Sequence, residues 1–266
     1  LYGLIQVSNI QTQTQLKSVS VNGLTSDAGL IEVRNAGEIS IEELTLIDVS
    51  FGGVLLSFKD SQSLTLNNLN IEANNQNQDC SSLIQVSNIQ TQTQLKSVSV
   101  NGSPCQQESN LASPVFDIQS VKSVYITDSK FSNMNSVSNV GYAIRGSSVG
   151  TLKISKTTFQ NIQNRKDSVI EFRKVESLIL DNVKVNNCTG EIRGVLFGEV
   201  VSLETNKLNC YYCQTQTGNG GSIYYTPYSS ENLETKLSIQ DSVFESSKAK
   251  LGGGVYINSM SQADSV

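Results

Sequence analysis

The stretch LIQVSNIQTQTQLKSVSVNG occupies Leu4–Gly23 and returns without a mismatch at Leu83–Gly102. The 79-residue offset is too long for one structural unit, so a shorter repeat must lie inside it. A short apolar strand following a small residue is that repeat. It starts at Leu4, Leu30, Val54, Leu83, Val115, Tyr142, Val169, Val195, Ile223 and Val255, spaced 24 to 32 residues apart, and the duplication spans three such units.

The second half of each unit has its own pattern. Apolar or β-branched residues stand at relative positions 0, 2 and 7, with a small or polar residue at 4. Leu64, Leu66, Asn68 and Ile71 fit it, as do Val124, Ile126, Asp128 and Phe131, and Leu44, Leu46, Asp48 and Phe51. Positions 0 and 2 share one face of a strand. The polar residue at 4 interrupts the alternation as a sharp left-handed bend would, which suits Asn and Asp. Position 7 then re-enters the core. No segment carries the 3.6-residue stripe of a crossover helix, and units this short cannot hold the four strands of a propeller blade. The expectation is an all-β parallel β-helix, a solenoid of about ten rungs, forming a single domain over 1–266.

Composition narrows the function. Charged residues make up 16% of the chain, the net charge is −5, and no basic patch marks a nucleic-acid partner. Histidine is absent, which removes the commonest general acid/base and transition-metal ligand. No metal, cofactor or membrane span is expected, since no apolar run is long enough to cross a bilayer. The chain opens and stops on repeat-like sequence, so it reads as a segment of a longer coil.

The pattern resembles the pectin-lyase-like superfamily of right-handed parallel β-helices across essentially the whole chain. A looser similarity, to polymorphic outer-membrane adhesins and ciliate surface proteins, rests on Phe131-Ser-Asn133, Phe159-Gln-Asn161, Gly220-Gly-Ser-Ile223 and Gly252-Gly-Gly-Val255. These resemblances imply the right-handed coil and a surface role.

Five cysteines are present. Cys80 and Cys105 fall in turns of successive rungs, and stacked rungs about 5 Å apart bring thiols within disulfide reach. Cys188 is expected to bond to either Cys210 or Cys213. Asn101-Gly-Ser103 and Asn187-Cys-Thr189 are glycosylation sequons. Cysteines and sequons together favour an extracellular or cell-surface location.

Alternate residues of the first strand point outward. The expected column runs Gln6, Glu32, Leu55, Gln85, Asp117, Ala143, Glu171, Leu196, Tyr224, Tyr256. Asp117 and Glu171, with Ala143 between them, would lie about 10 Å apart, just beyond an inverting carboxylate pair, with Arg145 and Arg173 nearby. The superfamily's catalytic clusters are missing, so these read as charges that break up an exposed face. Leu196, Tyr224 and Tyr256 form an expected outward apolar ladder suited to a sugar or protein interface. The leading expectation is a non-catalytic structural or adhesive surface protein of filament-forming type, whose partners are like chains end to end or glycans. Loops 73–82, 103–113 and 226–234 would carry contacts. The alternative is a carbohydrate-binding or carbohydrate-cleaving β-helix.

Overall fold

The computed structural model describes residues 5–23, 25–26, 29–72, 80–102, 114–134, 142–164, 167–228 and 234–258. Every strand among them pairs in parallel, and none of the described residues is helical. The chain is a parallel β-solenoid. Its first strand position forms one continuous column: Ile5, Ile31, Leu56, Ile84, Phe116, Ile144, Ile170, Leu196, Ile223 and Val255 are consecutive partners.

About seven turns close around the interior, fewer than the ten rungs expected. The difference lies at the outermost strand positions. Ile5, Val7, Leu16, Val19 and Val21 on one side, and Leu237, Phe244 and Val255 on the other, are only partly buried. A rung with a neighbour on one side only keeps part of its apolar surface in water, whereas Leu64, Val86, Val124 and Leu178 are wholly enclosed.

Left-handed bends turn each rung, as the polar position 4 predicted. Asn35, Asp60, Asn88 and Ser120 have φ between 52° and 55° and separate the first strand from the second. Asn68, Ser97, Asp128 and Asn182, at 50–55°, separate the second from the third. Asn133, Asn161 and Asn187, at 51–56°, bend the third strand itself, whose pairing resumes at Met134, Ile162 and Cys188. Asn and Asp tolerate this region because their short polar side chains bond locally. In the middle turns the first two strands merge into single bent stretches, Phe116–Thr127, Ile144–Ser155 and Ile170–Asp181.

One rung departs from the expected alignment. Leu64 pairs with Ile39 and Leu66 with Ile41, while Leu44 and Leu46 face Leu69 and Ile71. The bend equivalent to Asn68 is therefore Glu43, at φ 57°. Asp48 also bends, at φ 50°, but one strand later. Leu44, Leu46, Asp48 and Phe51 imitate the pattern because successive strands use the same alternation.

The interior is packed in columns. Phe131 and Phe159 stack with centroids 5.1 Å apart and planes within 8°, and Phe116 meets Phe131 edge-on at 5.6 Å. Large and small residues alternate around Phe172, whose partners on either side are Gly146 and Gly198. A Cβ on Gly146 would stand 2.9 Å from the Phe172 ring.

Candidate functional site

The outward residues of the first strand column form the candidate site. Parallel pairing places Gln6, Glu32, Ser57, Gln85, Asp117, Arg145, Glu171, Phe197, Tyr224 and Tyr256 in register. Three expected members are corrected. Ser57 replaces Leu55, Arg145 replaces Ala143, and Phe197 replaces Leu196. Leu55, Ala143 and Leu196 are all buried, at 1%, 0% and 4% exposure. Leu196 and Phe197 are adjacent, so alternation within Val195–Phe197 does not say which one faces out. Leu55 and Ser57, like Ala143 and Arg145, stand two apart, and pairing between turns decides which of them joins the column.

The correction at Arg145 changes the chemistry. Asp117 and Glu171 do not face each other across a neutral gap, because a guanidinium fills it. Arg145 donates from Nε to Asp117 Oδ1 at 3.2 Å and from Nη2 to Oδ2 at 3.0 Å, and Gln119 adds a bond to Oδ2 at 3.0 Å. Such a two-pronged pair is among the strongest polar contacts available to a carboxylate. Burial opposes the charge on Arg145, but the Asp117 carboxylate outweighs it and holds the guanidinium pKa above its usual value. Glu171 is 2% exposed and accepts from Arg173 Nε at 2.5 Å.

Two residues that the sequence reading missed complete the network. Asp167, in the turn before Val169, pairs with Arg193 at 2.6 Å. Burial pushes the Asp167 carboxyl pKa up, partly countered by Arg193. Its Oδ1 and the neighbouring Ser168 hydroxyl have no hydrogen-bond partner among the described residues. Tyr142 packs beneath Arg145, whose guanidinium carbon lies 5.9 Å from the ring centroid. Burial raises the Tyr142 pKa well above the usual phenol value, and the Glu171 and Asp167 charges raise it further. No local motif announced Asp167 or Arg193. They come from turns 26 residues apart that only the coil brings together.

Beyond Glu171 the column turns aromatic. Arg173 and Arg193 both lie over the Phe197 ring, at 5.3 and 4.2 Å from its centroid. Phe197 and Tyr224 have centroids 5.6 Å apart, and Tyr224 and Tyr256 5.0 Å, with planes tilted by 56° and 46°. Phe197 is buried while Tyr224 and Tyr256 are half-buried. Burial, then the neighbouring Tyr256, raises the Tyr224 pKa. The arrangement offers an apolar stripe beside three carboxylates, each held by its own arginine.

The cysteines behave differently from the disulfide expectation. Cys188, Cys210 and Cys213 are free thiols, buried in the interior. Cys188 occupies the column position of Ile162, and Cys210 that of Val185. They fill the core as small apolar side chains. Burial pushes the Cys188 thiol up to about 12. The hydrogen bond with Cys210, and then burial, raise Cys213 further still. Cys105 and the side chain of Cys80 lie outside the described residues, as do most of the three loops expected to carry contacts. No group of three or more Cys, Asp or Glu among the described residues is arranged to hold a metal. Among them, too, no helix is long and apolar enough to cross a membrane.

Comparison with protein-family models, with curated proteins and with solved structures finds no match.

Proposed function

We propose that this chain is a non-catalytic, adhesive β-solenoid of an extracellular or cell surface, related in architecture to the pectin-lyase-like β-helices, and that it acts through the outward face of its first strand column. The observation that carries this reading is the locking of every carboxylate in the network. Asp117, Glu171 and Asp167 each pair with an arginine, and the first two are nearly sealed from solvent. A general acid or base must reach the proton it moves. Asp117 and Asp167 tie successive turns together and Glu171 is held by Arg173 of its own strand, which leaves the aromatic stripe as the contact surface.

The half-buried Tyr224 and Tyr256 favour a sugar as one such partner, because amphipathic rings with polar tips suit contacts that are part apolar and part wet. Screening the chain against an array of neutral and acidic glycans tests both readings. Binding is expected to weaken about tenfold or more in Tyr224→Ala, a loss of about 1.4 kcal/mol. Turnover of any glycan that disappears in Glu171→Gln would overturn the non-catalytic assignment.

A further inference from the structure

The two sequon asparagines, far apart in sequence, are the two ends of one hydrogen-bonded ladder. Asn133 donates from Nδ2 to Asn101 Oδ1 at 2.8 Å, Asn161 to Asn133 at 3.0 Å, and Asn187 to Asn161 at 3.0 Å. Asn133, Asn161 and Asn187 bend the third strand in the left-handed conformation that asparagine tolerates best among ordinary residues. The next position in this column is Tyr212, since Asn186 is in register with Tyr211. Tyr212 keeps the same bend, at φ 54°, and is 53% exposed. A bulky aromatic residue held there is a conformational outlier that core packing does not explain, because the ring stands in solvent.

The geometry points to Asn187 as an N-glycosylation site whose first sugar rests against the ring of Tyr212, one turn away, at a spacing of about 5 Å. Asn187 is exposed, and Thr189 completes its sequon. In the transfer, Asn187 Nδ2 forms a bond to the anomeric carbon of a lipid-diphosphate-linked oligosaccharide. The bond from that carbon to the diphosphate breaks, and Nδ2 gives up one of its two protons. The proton that remains is enough to keep the donor bond to Asn161, so the ladder survives the modification. Tyr212 then supplies an apolar face to the sugar ring, which accounts for an aromatic residue where the preceding turns carry asparagine. This inference rests on the extracellular reading proposed above.

Expression of the chain behind a secretory leader in glycosylating eukaryotic cells tests it, with peptide mass spectrometry on total cellular protein so that retained variants still report. An endoglycosidase-sensitive mass on the Asn187 peptide is expected, lost in Thr189→Ala, which removes the sequon but spares the ladder. Thr189→Ala is also expected to lower the melting temperature by about 2–4 °C through loss of the sugar, but to leave it unchanged in a chain that carries Tyr212→Asn, a residue suited to the same bend. Unmodified Asn187 overturns the site, and an equal drop in both chains overturns the role of Tyr212. Surface labelling of native cells addresses location separately, because the leader forces the chain into the secretory lumen whatever its natural address.

Discussion

Arg145 sets its Nε and Nη2 on the two oxygens of Asp117 one turn earlier, at 3.2 and 3.0 Å, and occupies the outward place between Asp117 and Glu171. The pairing couples adjacent turns through charge as well as through backbone bonds. It also takes the two carboxylates out of any direct partnership.

Replacing Arg145 with Met is therefore expected to destabilise the solenoid, since Asp117 would stay buried with its charge largely uncompensated. The expected loss is about 3 kcal/mol, measured by urea unfolding. Asp117→Asn together with Arg145→Met should recover much of it. A double variant no more stable than Arg145→Met alone would show that the pair does not act as a unit.

The Phe131–Phe159 stack gives physical content to the Phe-x-Asn motif: the Phe fills the core and the Asn two residues later makes the bend. Each Phe→Ala change is expected to cost about 3–5 kcal/mol. A double-mutant cycle should reveal a coupling of about 1 kcal/mol between the rings. Additive losses would mean that the rings contribute only by filling volume.

Asn161 stands in the middle of the asparagine ladder, both donating and accepting. Asn161→Ala removes both bonds and puts an ordinary residue at φ 53°, with an expected cost of about 1–2 kcal/mol. Asn161→Gly loses the bonds but tolerates the bend, so it should cost less. Equal stability losses in the two variants would assign the whole effect to the hydrogen bonds.

The buried thiols should make stability fall in alkali. Cys188 keeps its proton until about pH 12 in the folded chain but ionises near its ordinary value of 9.0 once unfolded. The unfolded state thus holds fewer protons between about pH 9 and 12, and stability falls with rising pH at about 1.4 kcal/mol per unit for this thiol. Below pH 9 its contribution is fully present. Cys188→Ala should flatten the alkaline slope by that amount, and an unchanged slope would show the thiol to be accessible to solvent. Native Cys188, Cys210 and Cys213 should likewise resist alkylation until the chain is unfolded.

Much of the coil is legible in the chain itself. The apolar alternation and the polar bends at Asn68, Asp128 and Asn182 are local properties, because strand facing and left-handed turns depend on a residue and its near neighbours. The carboxylates, tyrosines and sequon asparagines of the candidate sites also stand out by residue type. The pairing between turns was not legible: Ala143 and Arg145 stand two apart and share a parity, so only the neighbouring turn decides whether Asp117 meets a methyl group or a guanidinium.

The sequence by itself thus determined a stack of parallel strands with bends at polar residues, since short-range sterics and alternation are enough for that. Only the tertiary structure decided the register between turns, because it depends on which side chains fit against those about 25 to 30 residues away, as Phe172 fits between Gly146 and Gly198. That register sets Arg145 on Asp117, lines the buried Phe197 up with the half-buried Tyr224 and Tyr256, and joins Asn101 to Asn187 through two asparagines whose partnership no local motif announces.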